Sequence, residues 1–174
     1  MSNDTQLRLI EELVEVLGDA EVDFWLRGGW ALDFHLGEVT REHDDVDLVA
    51  WLADGERIRA LLEPHGYVHA PEPNDRPELG LRLRKDGEEV AFVFVERTEA
   101  GALVTRGYEK WPWPGTMLDE SPRTLQGRTC RVLTAHALLD EKEAHREWSG
   151  RPPRPKDLAA SELIRGLIQG RDRR

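Results

Sequence analysis

Residues 25–48 carry the pattern that decides the fold, and they read WLRGGWALDFHLGEVTREHDDVDL. Before them, residues 22–27 form a run rich in β-branched and aromatic side chains, which predicts a strand that stops at Gly28-Gly29. Residues 30–36 then predict two helical turns, and residues 45–51 predict a second strand. The stretch therefore predicts the order strand, glycine pair, helix, strand.

Asp45 and Asp47 stand at alternate positions of the second predicted strand, so their side chains share one face. Two like charges side by side repel, and the pKa of one rises unless a cation neutralises them. Ligands that offer only oxygen suit magnesium or manganese, whereas zinc sites usually include nitrogen or sulfur. The pair therefore indicates a metal site. A solvated acidic turn that includes Asp44 is the alternative interpretation.

Gly28-Gly29 lies between a predicted strand and a predicted helix start. Without side chains, its backbone N–H groups and the positive end of the helix can approach a phosphate. A plain tight turn is the alternative, but a phosphate site beside a magnesium site indicates a nucleotide. The chain contains neither a P-loop nor a Rossmann glycine motif, so the nucleotide must be held in another way.

Residues 25–33, 36–37 and 40–47 resemble the signature of the small antibiotic nucleotidyltransferases that modify aminoglycosides and lincosamides. These belong to the polymerase-beta-like nucleotidyltransferase superfamily, in which a Gly-Gly or Gly-Ser precedes two acids that flank an apolar residue on a strand. The resemblance implies an α+β fold with a mixed β-sheet flanked by helices. We expect a nucleotidyltransferase core over residues 1–106 and a mainly helical C-terminal part, residues 107–174, that packs on it.

The resemblance also implies roles for individual residues. It implies that Asp45 and Asp47 bind the metal and that Gly28 and Gly29 hold the nucleotide's phosphates. It further implies a nucleotide-binding role for three basic residues, namely Arg41, His43 and Lys156.

Each of these basic residues has a plainer interpretation as well. Arg41 fits a solvated surface position, His43 fits the cap of a turn, and the Lys156-Asp157 pair fits an ordinary helix start. Asp33, on the helix after the glycines, is a further candidate that also fits a local ion pair.

Relatives of this kind usually carry a third carboxylate on a later strand, where it completes the metal site or acts as general base. Residues 79–84 and 88–96 flank Lys85-Asp86-Gly87 and predict a hairpin, and the expected acid falls at Ala91. Glu89 shares the face of Ala91, so Glu89 is the candidate base, with a solvated acid at the hairpin edge as the alternative. Without a third acid, nucleotide would still bind but transfer would be slow or absent.

Trp111 and Trp113 lie in a loop that two prolines make rigid. The two indoles suit an aromatic rim for a sugar or another ring-bearing acceptor, or else they pack against the domain. The sequence leaves both interpretations open.

Composition limits the classes of function. The 174 residues are typical of one domain, and 34 acidic against 24 basic residues give a net charge of −10. This charge disfavours nucleic acid as a partner and suits a cationic small molecule. Cys130 is the only cysteine, which excludes an internal disulfide and fits a reducing compartment. With no apolar stretch of membrane-spanning length and no basic signal region, we expect a cytoplasmic protein without membrane contact.

These observations lead to one expected function and several rivals. We expect a magnesium-dependent (or manganese-dependent) nucleotidyltransferase that transfers NMP from a nucleoside triphosphate, with ATP as the expected donor, to a hydroxyl of a small molecule. The resemblance implies an aminoglycoside or lincosamide acceptor. The rivals are a non-catalytic or regulatory nucleotide-binding module, a nucleotidyltransferase acting on protein or RNA, and a sugar transferase that uses residues 45–47 to hold a metal. The sequence neither predicts nor excludes a homo-oligomer.

Overall fold

A six-stranded mixed sheet lies at the centre of the computed structural model, which describes residues 2–150 and 152–172 without the side chains of residues 145–149, 171 and 172. The described helices are α1 (Ser2–Asp19), α2 (Gly28–Leu36), α3 (Gly55–Leu62), α4 (Ala135–Ser149) and α5 (Pro155–Asp172). The described strands are β1 (Phe24–Leu26), β2 (Val46–Trp51), β3 (Val68–His69), β4 (Gly80–Lys85), β5 (Glu88–Arg97), β6 (Leu103–Val104), β7 (Arg123–Leu125) and β8 (Arg128–Cys130).

The sheet has the strand order β1-β2-β5-β4-β3, with β6 paired to the far end of β5. β2 and β5 are parallel, whereas β1 with β2 and β4 with β5 are antiparallel. The β4–β5 hairpin turns at Asp86 and Gly87, whose φ angles of 52° and 83° fit a two-residue turn with both φ positive. The predicted α+β fold with a mixed sheet is confirmed.

Helix α1 packs one apolar stripe against the sheet. Leu7, Ile10, Leu13 and Leu17 are buried at the spacing that places side chains on one helical face. The helix begins at Ser2, and its first turn makes tertiary contacts. The Ser2 hydroxyl donates to Oε2 of Glu88 over 3.1 Å.

The C-terminal part of the chain returns to the sheet before it becomes helical. The N–H of Leu26 in β1 donates to the carbonyl of Arg131 over 2.9 Å, and the N–H of Leu133 donates to the carbonyl of Leu26 over 2.9 Å. Helices α4 and α5 then pack on α2 and on each other, with Ile164 of α5 fully buried. The division of the chain at residue 106 stays a prediction. None of the helices in the described residues has the length and apolarity needed to cross a membrane.

Candidate active site

The glycine pair provides space for the side chains around it. Gly28 has a φ of 64°, a conformation that favours glycine, and a Cβ there would lie 2.8 Å from Oδ2 of Asp47. A Cβ on Gly29 would overlap Nδ1 of His43 and lie 2.7 Å from Nη2 of Arg41. The turn therefore brings the N-terminus of α2 close to three of the predicted site residues.

Asp45 and Asp47 lie at the start of β2, Asp45 immediately before the strand and Asp47 on it, and both are half-buried. Burial raises the pKa of Asp45, and the charges of Asp47 and Glu89 raise it further. These carboxylates therefore sit where a cation would relieve both desolvation and repulsion.

Two carboxylates beside a glycine turn at a helix N-terminus fit magnesium, which typically takes one or two carboxylates and completes its shell with phosphate oxygens and water. The described residues contain no group of three or more His, Cys, Asp or Glu arranged to hold a metal ion. Asp45 and Asp47 are the candidate metal donors at this site.

Ala91 stands at the position opposite Asp47. The register pairs Asp47 on β2 with Ala91 on β5, and Ala91 with Arg82 on β4. The row across these three strands therefore contains a carboxylate, a methyl group and a guanidinium, in that order. Glu89 lies two residues earlier on the same face, and it lines one cleft of about 380 Å³ together with Asp45 and Asp47. We call this space the acidic cleft.

Glu89 is held by two guanidinium groups. One of its carboxylate oxygens accepts a hydrogen bond from Arg82, and the other accepts from Nη2 of Arg84 over 3.3 Å. Arg82 also donates from Nε to Asp75 over 3.0 Å, and this bond is the main reason that the pKa of Arg82 is raised. Glu89 thus reaches the cleft as one member of a charged network.

His43 belongs to a buried network behind the glycine turn. Its Nε2 lies 2.7 Å from Oδ2 of Asp33, and its ring stacks on Trp30 with centroids 4.3 Å apart. Gln6 of α1 joins the same network: it donates to the carbonyl of His43 over 3.1 Å and accepts from the Trp30 indole over 2.7 Å. The network fixes the chain just before Asp45.

Arg41 and Lys156 lie at the solvent side of the site. The exposed Arg41 donates from Nη1 to the carbonyl of Glu42 over 2.7 Å. Lys156, at the start of α5, lies 2.5 Å from Oδ2 of Asp44, and this hydrogen bond lowers the pKa of Asp44. The C-terminal helix thereby contacts the acidic segment next to the pair.

Arg27 is a site residue that sequence reasoning missed. Its backbone N–H donates to the carbonyl of Asp47 over 3.0 Å, and its guanidinium forms an ion pair with Glu141 of α4. Burial alone would lower the pKa of Arg27, but the charges of Glu141, Asp47 and Asp45 outweigh it and raise the pKa. The sequence predicts Arg27 only as the last residue of a strand. No local spacing connects it to Glu141, so the ion pair could not be predicted.

The structure places Trp111 and Trp113 on a second cavity of about 230 Å³, lined also by Arg27 and Glu141. We call this space the aromatic cavity. It adjoins the acidic cleft, because Arg27, Leu79 and Val93 line both spaces.

The chain is similar to several known proteins. The family model described as aminoglycoside-2''-adenylyltransferase matches residues 9–163. A curated relative from Klebsiella pneumoniae, named 2''-aminoglycoside nucleotidyltransferase, is 46% identical over 65 residues. That alignment covers 36% of this chain and spans only 35% of the length of the relative.

Two solved structures resemble the fold over most of its length. The crystal structure of ANT(2")-Ia in complex with adenylyl-2"-tobramycin has a TM-score of 0.77 at 22% identity and covers 94% of this chain and 90% of that chain. The lincomycin-bound lincosamide antibiotic adenylyltransferase LnuA has a TM-score of 0.67 at 18% identity and covers 90% and 94%, respectively. At these identities the similarity shows a shared fold.

Proposed function

Because this chain belongs to the aminoglycoside-2''-adenylyltransferase family, we propose that it transfers AMP from ATP to a hydroxyl group of a small-molecule antibiotic. The observation that carries the proposal is the acidic cleft, in which Asp45 and Asp47 lie beside the Gly28-Gly29 turn. One of the two similar structures contains adenylylated tobramycin and the other contains lincomycin. Tobramycin and lincomycin therefore represent the aminoglycoside and lincosamide acceptors to be tested.

Substrate binding in this proposal depends on the turn and its neighbours. The triphosphate lies against the backbone N–H groups at the N-terminus of α2. The absence of side chains at Gly28 and Gly29 lets Asp47, His43 and Arg41 approach this terminus closely. His43 and Arg41 lie next to Gly29, Lys156 lies next to Asp44, and in this proposal the three contribute positive charge or hydrogen bonds to the nucleotide. Asp45 and Asp47 would hold magnesium or manganese, which when bound neutralises phosphate charge and favours attack at phosphorus.

The transfer itself forms one bond and breaks one. The acceptor oxygen attacks the α-phosphorus, the bond from that phosphorus to the bridging oxygen breaks, and pyrophosphate leaves with the bonding electron pair. Glu89 takes the hydroxyl proton. Each carboxylate oxygen of Glu89 accepts one hydrogen bond from an arginine and keeps a second lone pair that can take the proton. The reaction belongs in the cytoplasm, where ATP is supplied and the free thiol of Cys130 stays reduced.

One observation favours a second candidate, a non-catalytic or regulatory nucleotide-binding module. Ala91, opposite Asp47, has no group that can take a proton or bind a metal. Such a module would bind MgATP at the acidic cleft and release no pyrophosphate.

Calorimetric titration of MgATP and MgGTP into the wild type and into an Asp45→Asn, Asp47→Asn double variant tests the nucleotide site. We expect magnesium-dependent binding that the double variant loses, and no binding to the wild type would contradict the proposal. Mass spectrometry of reactions with tobramycin and lincomycin then tests transfer.

Glu89→Gln separates the two candidates, with Glu99→Gln as control at an exposed acid outside the cleft. We expect Glu89→Gln to lower the turnover about 10²- to 10⁴-fold while nucleotide still binds. Nucleotide binding without any adenylylated product in the wild type would favour the module.

A further inference from the structure

Arg27 lies directly across from Asp47. The register of β1 with β2 ends at the pair of Leu26 with Leu48, and the backbone of Arg27 stays extended for one more residue. Its N–H donates to the carbonyl of Asp47 over 3.0 Å, which continues the antiparallel pairing. Opposite side chains in such a pair lie with their Cβ atoms about 4.5–5.5 Å apart, so Arg27 and Asp47 are neighbours on one face of the sheet.

The row across the sheet at this level contains one acid and two cations. From β1 to β4 it consists of the Arg27 guanidinium, the Asp47 carboxylate, the Ala91 methyl group and the Arg82 guanidinium. Two divalent ions about 3.5–4 Å apart repel each other strongly unless carboxylates surround them. On either side of Asp47 this row has a cation or a methyl group where a further carboxylate would be needed.

The charges that line the acidic cleft lead to the same conclusion. Four carboxylates and three guanidinium groups line it, namely Asp45, Asp47, Asp75, Glu89, Arg27, Arg76 and Arg82. Asp75 and Glu89 both accept hydrogen bonds from Arg82. Asp45 and Asp47 therefore remain for a metal, with Arg27 beside them.

The guanidinium of Arg27 is held at one end and has a free donor. Its Nη2 forms the ion pair with Glu141, whereas its buried Nε has no hydrogen-bond acceptor among the described residues. A buried N–H without an acceptor costs free energy, and a bound ligand that brings an acceptor removes that cost. Phosphate oxygens are acceptors that suit a guanidinium particularly well.

The position of Arg27 fits contact with a phosphate. Arg27 immediately precedes the Gly28-Gly29 turn, and its side chain lines the acidic cleft together with Asp45 and Asp47. The charges of Glu141, Asp47 and Asp45 raise its pKa despite burial, so the guanidinium stays protonated. A fixed positive charge thus adjoins both the turn and the carboxylates.

Resting on the proposed function, we propose that Arg27 takes the place of a second metal ion: its guanidinium binds an oxygen of the transferred phosphate, so that transfer needs one divalent ion. The acceptor oxygen bonds to the α-phosphorus, pyrophosphate leaves with the bonding electron pair, and Glu89 takes the hydroxyl proton. Arg27 neither gains nor loses a proton. It stabilises the negative charge that spreads over the phosphate oxygens in the transition state, and Glu141 is a positioning residue that orients it.

Electron paramagnetic resonance of manganese tests the number of ions without any chemistry. The full chain is saturated with an ATP analogue that has a methylene between its α- and β-phosphorus atoms, and Mn²⁺ is titrated into the complex. The triphosphate brings one ion with it, so a two-metal site would hold two ions per chain. We expect one bound ion per chain, and a second ion of comparable affinity would overturn the inference.

A pair of variants separates contact with the phosphate from the ion pair with α4. Glu141→Gln breaks the ion pair but keeps the guanidinium, whereas an Arg27→Met, Glu141→Gln double variant removes both charges and leaves no buried carboxylate unpaired. We expect the double variant to lose about 10²- to 10³-fold in kcat, with a smaller rise in the KM for ATP, and Glu141→Gln to lose much less. Without nucleotide, Mn²⁺ should bind the double variant roughly 10-fold more tightly than Glu141→Gln, because a neighbouring positive charge is gone.

Two further variants serve as controls. Arg165→Met removes an arginine that also pairs with a glutamate of α4, Glu143 over 2.7 Å, but lines no part of the acidic cleft. It should change neither kcat nor manganese binding. Arg27→Lys keeps the charge without the planar guanidinium and should retain more turnover than the double variant.

Two results with the variants would also overturn the inference. They are an equal kcat in Glu141→Gln and the double variant, which would make Arg27 purely structural, and an equal affinity of both for Mn²⁺. Absence of analogue binding or of product in the wild type is failure of the proposed function itself. A second manganese ion in a wild type that does transfer AMP contradicts this inference alone.

Discussion

Asp45 is a residue at which stability and metal binding oppose each other. Burial and the charges of Asp47 and Glu89 raise its pKa, so its ionised form destabilises the metal-free fold. We predict that Asp45→Asn raises the melting temperature in EDTA by roughly 1–4 °C, as removal of a like charge worth up to ~1 kcal/mol would do. The same variant should lose the stabilisation that magnesium with ATP gives the wild type. Differential scanning fluorimetry measures both effects.

The stabilising effect of Asp45→Asn should depend on pH, because it comes from the ionised carboxylate. A carboxyl whose pKa is raised in the folded state binds its proton more tightly there, so stability falls as the pH rises through that raised pKa. The advantage of Asp45→Asn should be absent near pH 3 and grow toward neutral pH. Glu42→Gln, at an exposed acid nearby, should show no such growth. A melting temperature of Asp45→Asn that lies below the wild type in EDTA would refute the argument.

Gly28 is the second residue at which a single change is informative. Gly28→Ala would place a Cβ 2.8 Å from Oδ2 of Asp47 and force a φ of 64° on an L side chain. We predict a loss of about 1–2 kcal/mol in the free energy of unfolding from the backbone alone, together with weaker MgATP binding. Urea unfolding and calorimetry measure the two losses.

Gly18→Ala is the matched control for that change. Gly18 has no atom within 4 Å of an added Cβ and lies in helix α1, so alanine should be neutral or stabilising there. Unchanged nucleotide affinity in Gly28→Ala would remove the glycine turn from the proposed site.

At the scale of elements, the junction between α4 and α5 depends on Asp157. Its carboxylate accepts from Nε of Arg154 over 2.7 Å and from Nζ of Lys142 on α4 over 3.2 Å. Burial alone would raise the pKa of Asp157, but the hydrogen bonds and charges of Arg154 and Lys142 outweigh it and lower the pKa. The bonds therefore connect the two helices that cover α2.

We predict that Asp157→Asn lowers the free energy of unfolding by about 2 kcal/mol at neutral pH, the size expected for hydrogen bonds to a charged group. A lowered pKa contributes stability above the unfolded value near ~4, and this stability is lost as the pH falls through the folded value. The difference between variant and wild type should accordingly shrink below about pH 4. Urea titrations at several pH values measure it, with Glu162→Gln on the exposed side of α5 as control.

Local sequence patterns predict the elements that surround the candidate site. The positions of α2, β2 and the β4–β5 hairpin follow from glycine pairs, apolar alternation and the Asp86-Gly87 turn, all of which act between neighbouring residues. The two-residue strand β3 and the β7 strand were not predicted, because so short a run has no periodicity. Their pairing depends on β4 and β8, respectively.

Part of the candidate site could be predicted, because local spacing also determines which side chains share one face of a strand. Asp45, Asp47 and Glu89 follow from strand parity, and the structure brings them to one cleft. The pairing of Arg27 with Glu141 and the network through Gln6 could not be predicted, since each joins residues far apart in sequence with no shared spacing. Tertiary contacts of this kind can be identified only when the fold is known.

At the scale of the whole molecule, Cys130 reports on opening of the structure. The thiol is 3% exposed in β8, and burial raises its pKa to about 12. Only the thiolate reacts with disulfide reagents, so we predict that labelling of the native protein is far slower than labelling in urea. Binding of MgATP should slow it further by stabilising the folded state. Fast labelling without denaturant would show that the β7–β8 hairpin opens locally.

The glycine turn acquires its last support late in synthesis. Leu26, two residues before Gly28, pairs with β2 on one side and with residues 131–133 on the other. A ribosome makes the chain from its N-terminus, so the β1–β2 pair can form long before residues 131–133 exist. The turn that is proposed to hold the phosphates therefore lacks these hydrogen bonds until residues 131–133 have been made. A truncated chain that ends before residue 131 would never form them.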